Sequence, residues 1–226
     1  AIQLAKQSDA RLHILHISTA KELQLFSNMM PLAEKRITNE VCVHHLHFTA
    51  DDYARLGNQI KCNPAIKAPE NKDALWKALL DDTLDIIATD HAPHTWEEKQ
   101  QAFAQAPAGL PLVQHSILLM LHYVQQGKIS IEKVVEKMAH APAICFQVKE
   151  RGYIREGYFA DLVLVDLKKQ YTISKENILY RCGWSPMEGM TLPASITHTF
   201  VNGNVVFENG QIFEETKGMR LSFVRN

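Results

Sequence analysis

The sequence has little sulfur, no excess of charge and no long apolar run. Its four cysteines, Cys42, Cys62, Cys145 and Cys182, lie far apart and form no C-x-x-C pair, which excludes zinc ribbons and thioredoxin-like motifs. They read as reduced, mostly buried thiols of a cytosolic protein. A formal net charge of −1 lacks the basic excess of a nucleic-acid or polyanion binder. No apolar run approaches the roughly 18–20 residues of a membrane span. The opening Ala1-Ile2-Gln3-Leu4-Ala5-Lys6-Gln7 lacks the charged-then-apolar order of a signal peptide. It also lacks an initiator Met, so the chain is expected to begin inside a larger protein. Neither an internal repeat nor a low-complexity stretch is present.

What is present is an ordinary globular composition. The 226 residues are 46% hydrophobic and 22% charged, enough for a sizeable core. Eleven histidines are a generous number, and histidine is the commonest metal ligand and the usual proton carrier near neutral pH. Abundance proves nothing, so position must decide.

Residues 11–17 and 39–48 read as strands, as do residues 84–89, which run into Asp90-His91-Ala92-Pro93-His94. Ser18-Thr19 with Glu22 caps a helix near 20–30. Thr49 opens a short helical turn, and 70–82, 112–126 and 130–140 have helical patterns. Strands alternating with helices imply βαβ units and a parallel sheet. Beyond Gly152 the character changes. Short strands are expected at Tyr153-Ile154, 161–166, 196–201 and 204–208, with Asn202-Gly203 as a hairpin turn. A complete (β/α)₈ barrel needs about 250 residues, whereas residues 1–150 hold three clear strands. This part is therefore either a small open sheet or the C-terminal portion of a barrel.

In parallel α/β folds reactive residues gather at the C-terminal ends of strands. His16, the His44-His45-Leu46-His47 cluster and Asp90 occupy such ends. A carboxylate there costs desolvation unless a backbone cap or a cation pairs with it. For one such residue the cap is the simpler explanation. Two, at separate strand ends, shift the balance toward a metal. His115, Met120 and His122 on the 112–126 helix read as core and rim, and Trp76, Trp96 and Trp184 as packing residues, with Trp96 able to line a loop over the site.

Ala88-Thr89-Asp90-His91-Ala92-Pro93-His94, followed after four residues by Lys99, resembles the signature of the dihydroorotases of the amidohydrolase superfamily. His13-Ile14-Leu15-His16-Ile17-Ser18-Thr19 resembles that family's sixth barrel strand, whose last His ligates metal. Asn39 to Leu46 resembles its seventh, Lys61-Cys62-Asn63-Pro64 a substrate-contacting segment, and Ala108-Gly109 its substrate loop. Gly152–Asp166 and Phe200–Gly210 look like its small β-domain. The resemblance covers nearly the whole chain but only the C-terminal half of the family's length. It implies strands 6–8 of a (β/α)₈ TIM-type barrel over 1–147, followed by a small all-β, sandwich-like domain over 148–226.

The resemblance further implies a zinc-dependent cyclic amide hydrolase of pyrimidine synthesis, with two zinc ions in the complete enzyme. It would interconvert dihydroorotate and N-carbamoyl-aspartate. His16 and Asp90 would be metal ligands. Asp90 would also be general base and acid, moving a proton from the bridging hydroxide to the ring nitrogen. Asn63, His94, Ala108 and Gly109 would bind substrate, His94 through its carboxylate. The family's first-strand His-x-His, fourth-strand carboxylate and fifth-strand histidine are absent. His45-x-His47 has the form of a ligand pair on one strand face, but the family uses no ligand there, so it reads as shape and hydrogen bonding. His91 and Lys99 belong to the signature without a derivable role, and Lys99 reads as a solvated loop charge. The expected partners are the small molecule, a second copy in a homodimer, and aspartate transcarbamoylase, in the cytoplasm. Nucleic acid and membrane are not expected. Alone, the chain is expected to bind zinc weakly, to be inactive and to expose barrel edges. The alternatives are a hydantoinase- or allantoinase-like enzyme and a non-catalytic partner of aspartate transcarbamoylase.

Overall fold

A computed structural model describes residues 1–224. The chain divides into two compact units, Ala1–Ser116 with Ser174–Glu188, and Ile117–Ile173 with Gly189–Asn226.

The first unit runs α1 (Ile2–Ser8), β1 (Leu12–Ile14), α2 (Ala20–Leu23), β2 (Ile37–Cys42), α3 (Val43–His47), α4 (Tyr53–Leu56), α5 (Pro69–Leu80), β3 (Ile86–Ala88) and α6 (Trp96–Lys99). Its three strands form a parallel sheet in the order β1-β2-β3, with Leu12 opposite Ile37 and Glu40 opposite Ile86. Val41, Leu46, Leu75, Leu79, Leu84 and Ile87 are buried. A buried ion pair fixes the strand starts. Lys35 Nζ lies 2.6 Å from Asp85 Oδ1, Asp85 Oδ2 accepts from the Asn39 amide, and Asn39 Oδ1 accepts from the Asp85 amide.

The strands expected over 11–17 and 84–89 are shorter, Leu12–Ile14 and Ile86–Ala88, and three further elements differ from expectation. The helix opened by Thr19 has the expected capping box with Glu22 but stops at Leu23, and Leu25 and Phe26 follow in tight i→i+3 turns. The strand expected over 39–48 ends at Cys42, and Val43–His47 is helical. Side chains of α5 take the carbonyls of this segment: Trp76 Nε1 donates to Leu46 O (2.8 Å) and Lys72 Nζ to His47 O (3.2 Å). Thus His45 and His47 do not share a strand face. The helix expected from 112 begins at Ser116, because the amides of Leu112 and Val113 turn to His91 Nδ1 instead.

The second unit holds α7 (Ser116–Gln125, begun at the last residue of the first unit), α8 (Ile131–Val135), a π-helical turn over Glu136–His140 and α9 (Ala141–Cys145). Its strands are β4 (Leu162–Asp166), β5 (Tyr171–Thr172), β6 (Thr191–Leu192), β7 (Ser195–Val201), β8 (Asn204–Glu208) and β9 (Gln211–Ile212). β4-β7-β8-β9 form an antiparallel sheet, and β5 pairs with β6. The expected hairpin turn is present: Asn202 and Gly203 both have positive φ, 51° and 83°, as a type I′ turn needs. Arg151 braces it, ion-paired to Asp161 and donating to Asn202 Oδ1. Tyr153-Ile154 is not a strand. The Tyr153 ring stacks on His140 at 4.2 Å between centroids, which holds the segment as a bend.

Candidate active site

β1 and β3 run parallel, and each ends two residues before a candidate ligand: Ile14 before His16, Ala88 before Asp90. Both residues turn into the left-handed region, with φ 41° at His16 and 46° at Asp90. This conformation is uncommon outside glycine, though Asn, Asp and His tolerate it best. It swings each chain sharply out of its strand. His16 is half-buried and Asp90 exposed. Both lie close to the end of β2. His16 acts electrostatically on His44 and His45, and Asp90 on Cys42 and Cys62.

Around Asp90 three loops are tied together, and the knot is Lys99. It is 1% exposed, not a solvated charge. Its ammonium donates to the carbonyls of Lys61 (3.2 Å), Pro107 (2.9 Å) and Gly109 (2.8 Å), and lies 6.0 Å from the Trp184 ring centre. Burial lowers its pKa to about 8, which leaves it charged at neutral pH. Gly109 closes the same knot. Its amide donates to Lys61 O (2.8 Å), and a Cβ on it would stand 2.6 Å from Ala92 O at a φ of +141°. Only glycine permits that approach.

The signature histidines are held from both sides. His91 Nδ1 accepts from the amides of Leu112 (2.9 Å) and Val113 (3.3 Å), and burial lowers its pKa, in keeping with a neutral acceptor ring. His94 Nε2 donates to Ala108 O at 3.2 Å. Its Nδ1 is therefore the atom left for a ligand, with Glu98 Oε2 at 3.7 Å. Trp184 Nε1 donates to His94 O (2.8 Å), and Trp96 packs edge-on to Trp184. Trp184 is thus more than packing. Its indole N–H fixes the His94 backbone from a segment remote in sequence, which no local pattern signals. Asn63 is exposed and precedes a cis Pro64. The loop web draws together the segments of Asn63, His94 and Ala108-Gly109.

The end of β2 carries a second group. Cys42, His44 and His45 are all buried, and one donor atom from each lies within 4.8 Å of the others. Burial keeps both rings neutral: His44 titrates well below its usual range and His45 at about 4. His47 is not part of this group and packs on Phe48.

Zinc takes imidazole nitrogen and carboxylate oxygen. His16 and Asp90 supply one of each from strand ends of one parallel sheet, so the donor types fit. Two donors are fewer than the three or four protein ligands that zinc takes, so these residues would hold only part of its shell.

Residues 9–206 match the amidohydrolase family, and the chain belongs to it, with the α/β, TIM-barrel-like fold of its relatives. Within that family its curated relatives include dihydroorotases. That of Pyrococcus horikoshii is 36% identical over 222 residues, covering 98% of this chain and 50% of its own length. The multifunctional protein pyr1-3 of Dictyostelium discoideum is 35% identical over 217 residues, 95% of this chain and 9% of its own. Among solved structures, the L-hydantoinase (dihydropyrimidinase) of Arthrobacter aurescens superimposes with a TM-score of 0.83 at 27% identity, over 94% of this chain and 48% of its own. The chain spans about half the length of the dihydroorotases it matches.

Proposed function

We propose that this chain supplies one side of a zinc site that opens and closes a cyclic amide, interconverting dihydroorotate and N-carbamoyl-aspartate in pyrimidine biosynthesis. The observation that most supports it is the loop web: Lys99 and Gly109 join the segments of Asn63, His94 and Ala108-Gly109 beside Asp90. In this reading residues 1–147 are about strands 6–8 of a (β/α)₈ barrel and 148–226 a small β-domain.

His16 and Asp90 would hold the metal. When bound, zinc polarises a carbonyl and lowers the pKa of water. Asp90 would take the nucleophile's proton during attack and return it to the ring nitrogen as the C–N bond breaks. Its exposure leaves room for substrate. The Nδ1 side of the His94 ring and the Asn63 amide would hold the substrate carboxylate. The backbone of Ala108 and Gly109 would lie along the ring. Free cysteines suit a reducing cytoplasm, and no helix among the described residues is long and apolar enough to cross a membrane. The match to a multifunctional protein supports work in company with aspartate transcarbamoylase, and a homodimer is a further expectation.

The test mixes this chain with the N-terminal half of the Pyrococcus horikoshii relative and zinc, and follows dihydroorotate ring opening. Turnover in the mixture only, lost with Asp90→Asn or His16→Ala, is expected. Turnover by this chain alone would overturn the shared-site reading, and none in a mixture shown to associate would overturn the activity. The hydantoinase-like alternative is favoured by the solved relative. His94→Ala should impair dihydroorotate turnover and spare that of a neutral hydantoin. The reverse would favour the alternative.

A further inference from the structure

We propose that Cys42, His44 and His45 form a binding site for one soft divalent ion, Zn²⁺ or Cd²⁺, separate from the metal position of His16 and Asp90. Cys42 is 0% exposed, His44 1% and His45 3%. Neither ring nitrogen of His44 has a hydrogen-bond partner, and neither does Nδ1 of His45. The Thr89 backbone lies near the His44 ring and favours its charged form, but makes no hydrogen bond of good geometry to either nitrogen. Leaving a buried polar atom unsatisfied is costly, and native interiors hold few such atoms. Here three cluster on two rings whose centroids are 4.2 Å apart.

The donor states suit a metal. His45 Nε2 donates to Pro64 O at 3.0 Å, so its proton sits there and the Nδ1 lone pair is free. This is the outer hydrogen bond that orients ligating histidines. Burial keeps both rings neutral, as ligation requires. The Cys42 thiol is raised by burial and by the carboxylates of Glu40 and Asp90. Those negative charges oppose a bare thiolate but favour a cation beside it. On binding, the S–H bond breaks, sulfur bonds the ion, and the proton leaves to solvent. One thiolate and two imidazoles are a soft set that selects zinc-like ions over magnesium or calcium. The donors, within 4.8 Å of one another, would close by roughly 1 Å to reach tetrahedral spacing, given metal bonds of about 2.0–2.3 Å.

This inference does not depend on the proposed hydrolysis, because neither His16 nor Asp90 carries sulfur. Titrating the chain with Cd²⁺ should raise a thiolate-to-metal absorption band that saturates at one ion per chain. Cys42→Ser should weaken that binding by more than about 100-fold, the upper cost of losing a mere outer-shell partner. Cys62→Ser and the His16→Ala/Asp90→Asn pair should leave the band intact. A band that survives Cys42→Ser, or that never forms, overturns the site. Should Cys42→Ser fail to fold, X-ray absorption of the zinc-loaded unaltered chain decides. One sulfur at about 2.3 Å with nitrogens at about 2.0 Å supports the proposal, and a shell of nitrogen and oxygen alone overturns it.

Discussion

The ammonium of Lys99 sits 2.8 Å from the carbonyl of Gly109, the one residue in its loop that cannot carry a side chain. One contact supplies charge and the other closeness, and together they seat the 107–109 loop on the 61–64 segment. Lys99→Met removes donors from three carbonyls and should cost on the order of 3 kcal/mol, read as a lowered denaturant midpoint. Lys99→Arg should not restore it, since a planar guanidinium does not fit a compact ammonium pocket. Stability unchanged in Lys99→Met would show that water replaces the ammonium.

Gly109→Ala places a methyl 2.6 Å from Ala92 O at a φ of +141°. Backbone strain of this kind costs of order 1–3 kcal/mol. A lower melting temperature and faster amide exchange at Gly109, whose N–H now donates to Lys61 O, are expected. An unchanged exchange rate would mean the loop tolerates the methyl without moving.

Lys35→Met takes the paired cation from the buried Asp85 carboxylate, which should cost about 3–5 kcal/mol. Adding Asp85→Asn removes the buried charge and keeps an oxygen for the Asn39 amide, so the double variant should unfold at higher denaturant than Lys35→Met. Additive losses would refute the coupling.

Acid should begin to weaken the fold below about pH 6.5, above the ordinary carboxylate range. Burial lowers His45 and His115 to about 4. The unfolded chain takes up protons on these rings below about pH 6.5, while the folded chain resists until about pH 4. The unfolded state therefore binds more protons in that window, and stability falls as pH drops through it. Each ring contributes on the order of 1–3 kcal/mol. Thermal midpoints across the window should fall less steeply in His115→Gln than in the unaltered chain.

The positions of His16 and Asp90 just past two strands were legible because an apolar run stops abruptly at a polar group, and the hairpin because Asn202-Gly203 needs no tertiary help. The segment after Cys42 was not. Val-Cys-Val reads locally as strand, yet Trp76 and Lys72, some thirty residues on, take the carbonyls of the turn. Lys99 was illegible for the same reason. A lysine in a polar stretch reads as solvated, and only carbonyls from residues 61, 107 and 109 bury it. Trp184 reaches His94 across ninety positions, beyond any periodicity.

The left-handed backbone at His16 and Asp90 also acts as a filter on mutation. Bulky and β-branched side chains are penalised there before chemistry is tested, and the short polar residues that tolerate the turn include good metal donors. At these two positions the backbone narrows the residues that can stand without strain to a pool rich in metal donors.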